Sequence, residues 1–486
     1  MCTAAFGAAA TLHAMSDRLS PLDASFLSLE RSRIPAHIGS LSVFHPGRSG
    51  FDYDVLVQLI EQRIGRVPRY RQKVREVPWG IARPVWVDDN DFDIAFHVRR
   101  SALPAPGNDA QLHEMVSRLL SRRLDRCRPL WEMYLVEGLA GGQVALISKT
   151  HEALVNGADA VDLGEVILDD TPRPPVTRGQ LWMPAPEPGR VQLLADVLTG
   201  ALRRPAEIVD AARWVARDVT TAVNTGATAA RDVAAVLYRV TKPAPPSPLN
   251  VAISRQRRFA VARTQLSDYR EVRSVRGGAV NDVALAVVTG ALRSWLAARG
   301  EELTLATTVR ALAPVSVMHG GLADAPGQST GDVASFLVDL PVGEPSPAVR
   351  VSRIARATRA HASSQRLIGA ATLTQLSGFA PPTLHAMGSR VAGSLARRSF
   401  NVLITNVPGP QKPMYADGAR MQEMFPVVPL APNQALTIGL TSYDGGVYYG
   451  LNADRDAMPD VELLAGFIEQ ALHELVQECG VRERAR

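Results

Sequence analysis

Residues 128–157 read RPLWEMYLVEGLAGGQVALISKTHEALVNG, and the class of fold follows from them. Two apolar segments flank Gly141-Gly142, a pair that is typical of a turn between antiparallel strands. We therefore predict a β-hairpin that ends at His151. A helical pattern over residues 160–168 follows it, so a strand stops and a helix begins within a few polar residues.

The chain before this hairpin also mixes strands and helices. Alternation of Leu41 and Val43 within HIGSLSVFHPG indicates a strand that stops at Gly47. Residues 54–65 and 111–124 each place apolar side chains on one face of a helix. Because these elements follow no strict βαβ period, we expect an α/β fold of the mixed α+β kind.

A change of composition after residue 170 divides the chain into two halves of similar size. TPRPPVTRG (171–179) and KPAPPSPLN (242–250) are rich in proline, and the stretch between them has an Ala-, Val- and Arg-rich helical pattern. We predict a disordered extension over 1–14, with Met15 as an alternative start, a first lobe over 15–185, a connector over 186–250 and a second lobe over 251–480.

The second half repeats the mixture of elements. Its longest helical pattern, VNDVALAVVTGALRSWL (280–296), is apolar over most of its surface, which predicts a deeply buried helix. A hairpin is predicted over 435–456 with its turn at Asp444-Gly445-Gly446, and a helix over 460–477. Further strands are predicted in RRFAVARTQL (257–266), ALAPVSVM (311–318), VASFLVDLPVG (333–343) and SFNVLITNVPGP (399–410).

The composition excludes several classes of protein. With 46% hydrophobic and 21% charged residues, the 486-residue chain is neither disordered nor collagen-like. Lys and Arg number 53 against 48 Asp and Glu, but the basic residues form no clustered run, so we expect no nucleic-acid partner. The arginine-rich composition is typical of a GC-rich genome.

The cysteine spacing and the hydropathy indicate in which cellular compartment the protein is expected. Three widely spaced cysteines predict neither a zinc site nor a disulfide framework, and they favour a reducing environment. No apolar stretch reaches the roughly 18 residues of a membrane span, and the N-terminus lacks the basic region of a secretory signal. We expect a cytoplasmic protein.

The segment HEALVNG (151–157) is the most informative candidate site. Polar groups at the end of a buried strand are often parts of active sites. A histidine in that position is also typical of a hydrogen-bonded structural residue. The segment alone leaves both interpretations open.

Seven segments occur in one order along almost the whole chain. They are PLDASFLSLE (21–30), RPLWEMYLVEGL (128–139), HEALVNG (151–157), VNDVALAVVTGALRSWL (280–296), APVSV (313–317), NVLITNVPGP (401–410) and PVVPL (426–430). Together they resemble the bacterial wax ester synthase/acyl-CoA:diacylglycerol acyltransferase family, whose members carry P-L-W, H-H-x-x-x-D-G, N-D and N-V-P-G-P elements.

The resemblance implies both a fold and a reaction. The fold is that of the coenzyme-A-dependent acyltransferases, in which two mixed α/β lobes enclose substrate tunnels at their interface. The reaction transfers an acyl group from long-chain acyl-CoA to the hydroxyl of diacylglycerol or of a long-chain alcohol. The second His of H-H-x-x-x-D-G serves there as the base, which contributes roughly 10²–10⁴ to such a rate.

The present chain departs from the family at that motif. His151 matches the first, non-catalytic His, Glu152 stands where the base is expected, Asn156 replaces the Asp, and Gly157 is retained. An ordinary Glu has a pKa about two units below that of His, but burial could close this gap. Glu152 could thus accept the proton with His151 in support, or the changes could reflect loss of catalysis.

Three other family elements are intact in this chain, and two positions depart from the family pattern. For Pro129, Leu130 and Trp131 a place in the core is favoured over contact with the acyl chain. Asn281 and Asp282 are predicted to cap the buried helix. Asn406, Pro408 and Gly409 are predicted to end a strand in a turn. Met318 and Gly331-Asp332 depart from the Arg and the Gly-Asn expected there.

Three functional hypotheses remain open at this stage. The first is an acyltransferase of weak or conditional activity, and the second is a non-catalytic acyl-CoA or lipid-binding protein. Acyl transfer of the nonribosomal condensation type is disfavoured, because segments 128–139 and 401–410 match the lipid family better.

The expected partners follow from these hypotheses. Phosphate loops, metal-ligand clusters and a G-x-S-x-G elbow are missing from the sequence, so direct transfer with acyl-CoA as co-substrate and no cofactor or metal is the simplest mechanism. Trp214 and the arginines at 203, 204, 213 and 217 fit either a helix at a membrane surface or a linker packed across both lobes. Peripheral contact with the inner membrane face or lipid droplets is implied by the resemblance.

Overall fold

The computed structural model describes most of both halves of the chain. The described residues are 17–30, 34–47, 50–155, 163–173, 182–203, 243–315, 334–363 and 399–480. The N-terminal extension, Asn156, Gly157, Trp214, Met318 and Gly331-Asp332 lie outside them.

Strands of the first half form most of one six-stranded sheet. Its strands are β1 (His37–His45), β4 (Val98–Ala102), β5 (Trp131–Glu137) and β6 (Val144–His151), joined by β11 (Tyr415–Ala416) and β12 (Ala419–Val427) in the order β11-β12-β1-β6-β5-β4. The short strands β2 (Gln72–Arg75) and β3 (Val85–Asp88) pair separately.

The predicted hairpin over 128–151 is confirmed. Strands β5 and β6 pair antiparallel from Trp131 opposite Thr150 to Val136 opposite Ala145. Gly141 lies in the connecting turn with φ of 72°, a conformation that favours glycine because it has no Cβ. Strand β6 is buried along its whole length, as its apolar sequence predicts.

Strands β11 and β12 belong to the second half in sequence but to the first sheet in space. Strand β12 runs antiparallel to β1, from Gly39 opposite Val427 to His45 opposite Arg420, with an irregularity between Val43 and Phe44. The predicted division of the chain near residue 250 is therefore not a division between the sheets. The sequence did not indicate this exchange, because strand partners far apart in sequence leave no mark on local periodicity.

The second sheet is built from the second half alone. It contains β7 (Arg257–Gln265), β8 (Val309–Val315), β9 (Ala334–Leu340), β10 (Val402–Pro408), β13 (Leu436–Tyr443) and β14 (Gly446–Asp454) in the order β7-β14-β13-β10-β8-β9. The predicted hairpin at Asp444-Gly445 is confirmed by the antiparallel pairing of β13 with β14. Strand β10 lies parallel to both β8 and β13.

Helices pack against both sheets. Those of the first half are α1 (Pro21–Leu29), α2 (Tyr53–Arg63), α3 (Ile94–His97), α4 (Asp109–Leu120), α5 (Glu152–Val155), α6 (Leu163–Val166) and α7 (Arg190–Arg203). Those of the second half are α8 (Leu266–Arg276), α9 (Val280–Ala298), α10 (Pro347–Ser363) and α11 (Val461–Glu478).

Helix α9 is buried as its sequence predicts. Buried side chains run from Asp282 to Leu296 and join one apolar cluster with α11 and the second sheet. Trp295 is fully buried, and its indole nitrogen donates to Asp460 Oδ2 at 3.1 Å. Burial of a Trp requires such a partner for its N–H group, which Asp460 supplies from the start of α11.

No single helix among the described residues is long and apolar enough to cross a membrane. The bent pair α8 and α9, which meet at 104°, passes only by combined length and composition. Helix α9 is buried against α11 and the second sheet in this structure.

Candidate active site

His151 ends strand β6 and is 1% exposed. The antiparallel register of β1 and β6 places His37 directly opposite it, with the two ring centroids 6.0 Å apart. The backbone N–H of His151 donates to Leu130 O at 3.0 Å, so the P-L-W segment and the strand end are hydrogen-bonded to each other.

Glu30, the last residue of the PLDASFLSLE segment, lies beside both histidines. Its Oε1 lies 3.3 Å from His37 Nε2, and its Oε2 lies 4.0 Å from His151 Nε2. Arg123 Nη2 and Arg126 Nη2 donate to the same Oε2 at 3.0 and 2.7 Å. Five charged or titratable side chains thus form one cluster at this end of the first sheet.

Burial decides the charge of these groups. Burial lowers the pKa of His37 to about 4 and that of His151 to about 3, so both rings are neutral near pH 7. Burial would raise the pKa of Glu30, but hydrogen bonds from His37, Arg123 and Arg126 outweigh it and hold that pKa well below its ordinary value. The cluster therefore contains a carboxylate held by two arginines beside two neutral imidazoles.

The hydrogen bonds of His151 determine which of its nitrogens carries the proton. Its Nδ1 accepts from the backbone N–H of Ala153 at 3.0 Å, so the proton of the neutral ring is on Nε2 and points towards Glu30. No hydrogen-bond partner of Nε2 lies among the described residues. In this form His151 orients the start of α5 and has no free nitrogen with which to accept a proton.

Glu152 is the first residue of α5, directly after this buried strand end. Its backbone N–H donates to Ala36 O at 3.0 Å, and α5 packs against α1. The residue is half-buried, and burial raises the pKa of its carboxyl to about 7. No side chain within the described ranges forms an ion pair with it.

Trp131 lies in the core of the first lobe, as the core interpretation predicts. It is 1% exposed, its indole nitrogen donates to Tyr70 O at 2.7 Å, and its ring stacks on His97 at 4.6 Å. Pro129 and Leu130 are also buried. This segment leads into the first strand of the hairpin, which begins at Trp131, and supplies the carbonyl that accepts from the His151 N–H.

The N-D and N-V-P-G-P motifs of the second half, which are far apart in sequence, lie in contact in the structure. Asn406 Nδ2, at the end of β10, donates to Asn281 Oδ1 in the first turn of α9 at 2.9 Å. Asn281 is thus not a helix cap, and the predicted capping role is wrong for this residue. Its side-chain amide instead links α9 to β10, two elements that are far apart in sequence.

Asp282 performs the capping that was predicted. Its Oδ2 accepts from the backbone N–H of Ala279 at 2.8 Å, and its Oδ1 accepts from Thr358 Oγ1 at 2.8 Å. Strand β10 ends at Pro408, and the Gly409 N–H donates to Ser442 O at 2.9 Å. A Cβ on Gly409 would lie 2.6 Å from that oxygen, so the turn requires glycine.

A cleft of about 1180 Å³ lies among α1, residues 73–80 and α7. Arg126 lines this cleft, but His151 and Glu152 do not. The tunnel that the resemblance implies between the lobes stays a prediction, because residues 156–162, 316–333 and 364–398 are outside the described part of the chain. Within that described part, no group of three or more His, Cys, Asp and Glu side chains could hold a metal ion.

Sequence reasoning missed Glu30, His37 and the two arginines. Glu30 ends a segment that the resemblance used only as a motif, and His37 opens the strand β1. That His37 lies beside His151 becomes evident only from the register of β1 against β6.

Comparison with known families decides the classification of the chain. The model of the wax ester synthase/diacylglycerol acyltransferase catalytic domain matches residues 19–284, and the model of the C-terminal domain of the same family matches residues 331–476. The chain belongs to the wax ester synthase/diacylglycerol acyltransferase family. The resemblance inferred from the seven ordered segments is confirmed.

Individual relatives agree with this classification. The chain is 33% identical over 464 residues to the probable diacylglycerol O-acyltransferase tgs1 of Mycobacterium tuberculosis, covering 95% of this chain and 96% of that relative. It is 50% identical over 264 residues to the probable diacylglycerol O-acyltransferase tgs3 of the same species, covering 54% of this chain and 96% of that relative.

Solved structures confirm the expected fold. The wax ester synthase/diacylglycerol acyltransferase from Marinobacter aquaeolei VT8 superposes with a TM-score of 0.67 at 27% identity, covering 95% of this chain and all of that one. The first condensation domain of the calcium-dependent antibiotic synthetase superposes with a TM-score of 0.55 at 16% identity, covering 95% of this chain and 96% of that one. The fold is therefore the two-lobed acyltransferase fold of condensation-domain type.

Proposed function

We propose that this member of the family transfers a long-chain acyl group from acyl-CoA to the hydroxyl of diacylglycerol or of a long-chain alcohol. The family classification and the relatives named diacylglycerol O-acyltransferase support this reaction. The products are triacylglycerol or wax ester, together with free coenzyme A. Such acceptors reside in membranes and lipid droplets, so we expect the protein to act at a lipid surface.

Glu152 is proposed to accept the proton of the acceptor hydroxyl. The hydroxyl oxygen attacks the thioester carbonyl and loses its proton to the Glu152 carboxylate. The C–S bond then breaks, and the coenzyme A thiolate leaves and takes up the proton from Glu152. Because the proton returns to the leaving sulfur, the step balances without a covalent enzyme intermediate.

We base the role of Glu152 on one observation, a half-buried carboxyl that has no ion-pair partner in the described chain and directly follows the neutral His151. A base works best when its pKa is near the working pH, and burial raises that of Glu152 to about 7. His151 is less suited to this role, since its Nδ1 accepts from Ala153 N–H and its Nε2 carries the proton. His151 then acts as a positioning residue for the first turn of α5.

A second candidate is a binding protein that has lost turnover. It is favoured by the two departures in the segment, Glu152 at the position of the family's base and Asn156 at the position of its Asp. Such a protein would bind acyl-CoA without forming product.

The test is conversion of labelled acyl-CoA and diacylglycerol, or a long-chain alcohol, by the full chain. Glu152→Gln keeps the size of the side chain but removes its basicity, so we expect a loss of about 10²-fold or more in rate. Glu301→Gln, an exposed carboxylate in the second half, is the matched control and should keep full activity. Equal product from wild type and Glu152→Gln would reject Glu152 as the base.

The pH dependence gives a second readout. Because only the carboxylate accepts a proton, the rate should rise with pH through about 7 and level off above it. If wild type binds acyl-CoA but forms no product, the binding function is favoured. A gain of activity in Glu152→His/Asn156→Asp would then show that only the base had been lost.

A further inference from the structure

Lys149 is a buried cation on strand β6, two residues before His151. Its side chain is 1% exposed, and because side chains alternate along a strand, it lies on the same face of the first sheet as His151. Burial lowers its pKa to about 8, while Glu132 opposes this fall, so the amine is mostly charged near pH 7. A lysine is almost never buried to this extent unless its charge has a partner. The partners of Lys149 therefore indicate what the residue does.

Among the described residues, the closest polar partner of Lys149 is a backbone carbonyl. Its Nζ donates to Arg122 O, whereas the carboxylate of Glu132, opposite it on β5, lies farther away, with Oε2 at 3.7 Å. That oxygen accepts a hydrogen bond from Tyr134 OH at 2.8 Å, and Arg99 Nη2 lies 3.5 Å from the other oxygen. Replacement of a buried ion pair by uncharged side chains is often neutral for stability, because both charges lose their hydration. Stability alone thus does not account for a lysine at this position.

The carbonyl that Lys149 binds belongs to the 121–126 segment, which follows α4 and lies beside Glu30. Arg123 and Arg126 of this segment donate to Glu30 Oε2 at 3.0 and 2.7 Å, although their side chains are 42% and 38% exposed. Arginines that extend in from the surface hold a buried carboxylate in place only if the backbone that carries them is fixed. Lys149 fixes that backbone from the side of the sheet.

Glu30 connects this segment to the candidate site. Its Oε2 lies 4.0 Å from His151 Nε2, whose proton points towards it. In a buried environment, a carboxylate at this distance favours the ring orientation that keeps the N–H group towards it. That orientation presents His151 Nδ1 to the Ala153 N–H at 3.0 Å, and it thereby sets the start of α5, where Glu152 stands.

We propose that Lys149 is a positioning residue for acyl transfer. Its ammonium holds the Arg122 carbonyl and with it the 121–126 segment, whose arginines keep Glu30 beside His151. Lys149 is enclosed by protein, so it acts through these groups and not on the reacting atoms. The inference rests on the proposed function, because the reaction it serves is the transfer in which Glu152 accepts the proton.

Steady-state kinetics of the full chain test this role. Lys149→Met fills a similar space without a donor, and Glu132→Gln is combined with it so that no buried carboxylate loses its cation. This double variant should unfold at the same urea concentration as wild type. We expect its kcat to fall about tenfold or more and its KM for acyl-CoA to change by less than about twofold, because the site is misplaced but binding is not.

Tyr134→Phe is the matched control. It removes another hydrogen bond to Glu132 within the same buried cluster but leaves the bond between Lys149 and the Arg122 carbonyl intact. We expect this variant to keep the kcat and KM of wild type.

The ring of His151 gives a readout that does not depend on turnover. Magnetic resonance of the isotope-labelled imidazole should show its proton on Nε2 in wild type, with the signal assigned by its loss in His151→Gln. The double variant should shift or broaden this signal, because Glu30 is no longer held beside the ring. Tyr134→Phe should leave the signal unchanged.

These measurements separate the role of Lys149 from the proposed function. A double variant with the kcat of wild type, or with an unshifted His151 signal, overturns the role. An equal loss of kcat in Tyr134→Phe, or a double variant that unfolds at a clearly lower urea concentration, makes Lys149 a structural residue and also overturns it. If wild type forms no product, the acyl transfer fails, and the His151 signal then decides whether Lys149 positions the site.

Discussion

At the scale of single residues, the surroundings of two carboxyls, those of Glu152 and Glu30, favour opposite protonation states. Glu152 is half-buried without an ion-pair partner in the described chain, so its surroundings favour the protonated form. Glu30 is buried with two arginines, so its surroundings favour the charged form. Each environment therefore predicts a pH dependence of the free energy of unfolding, whether or not the protein is catalytic.

The substitution Glu152→Gln should stabilise the protein above pH 7. Burial raises the pKa of this carboxyl from 4.5 to about 7, so the folded state holds the proton more tightly than the unfolded state. The resulting cost is absent below pH 4.5, grows as the pH rises to about 7 and is then constant. Denaturant unfolding at pH 8 should show Glu152→Gln more stable by about 3 kcal/mol at most, and at pH 4 equal stability. Equal stability at both pH values would contradict the buried environment.

Two of the buried histidines, His37 and His151, should make the fold sensitive to acid. Their pKa values of about 4 and about 3 lie below the ordinary 6.5, so the unfolded state binds protons first. The contribution of these two histidines to the free energy of unfolding should therefore fall as the pH drops from about 6.5 towards 4. Glu30 adds to this fall only below its ordinary 4.5, whereas the raised pKa values of Glu152 and Asp23 oppose it between 4.5 and 6.5. The histidine contribution is therefore measured as a difference between wild type and a histidine variant.

His37→Gln provides the comparison for that range. The Gln amide can still donate to Glu30 but does not titrate, so the fall between pH 6.5 and 4.5 should be smaller than in wild type. Urea unfolding at several pH values measures it. An identical fall in both proteins would mean that His37 is not the group that titrates.

At the scale of elements, the start of α9 is held by two adjacent residues with different partners. Asp282 bonds the free N–H of Ala279 and the hydroxyl of Thr358 on α10, whereas Asn281 bonds Asn406 on β10. The N-terminus of the most buried helix is thereby connected both to a neighbouring helix and to the end of a strand.

These partners predict different costs for two neighbouring substitutions. Asp282→Ala removes a helix cap and one interhelical bond, so we expect a loss of about 2 kcal/mol of stability. Asn281→Ala removes a single side-chain hydrogen bond and should cost about 1 kcal/mol. Thermal and denaturant unfolding of both variants check this order. A larger loss for Asn281→Ala would show that the link to Asn406 matters more than the cap.

At the scale of the whole molecule, strand β12 joins the two halves of the chain. It covers the edge of β1 along seven residue pairs, while β13 and β14, which follow it, belong to the other sheet. Arg263 on β7 adds charged contacts to Asp109 on α4 and to Glu423 on β12. The lobes therefore share strands as well as an interface.

Separation of the halves should expose that edge. A fragment of residues 15–250 would lack β12, and the unpaired N–H and C=O groups of β1 would be free to pair with another chain. We expect this fragment to aggregate when expressed alone and to become soluble when co-expressed with residues 251–486. Size-exclusion chromatography checks both cases. A monomeric, soluble fragment on its own would show that β12 is dispensable for the first lobe.

Much of the fold could be predicted from local pattern. The hairpins at residues 131–151 and 436–454 and the buried helix α9 follow from alternation, turn glycines and an apolar surface. The family followed from the order of seven short segments, which needs no structure. In the candidate site, His151 and Glu152 were identified because they stand where a strand ends.

What the sequence alone determined is thus the type of most elements and the family, since periodicity and short motifs are carried by neighbouring residues. Only the tertiary structure decided that Glu30 and His37 lie beside His151, that Asn281 bonds Asn406, and that β12 completes the first sheet. These contacts depend on strand register and on which distant segments lie side by side. Such pairings are selected by packing of the whole chain, because the local pattern of a segment does not specify which distant segment is its partner.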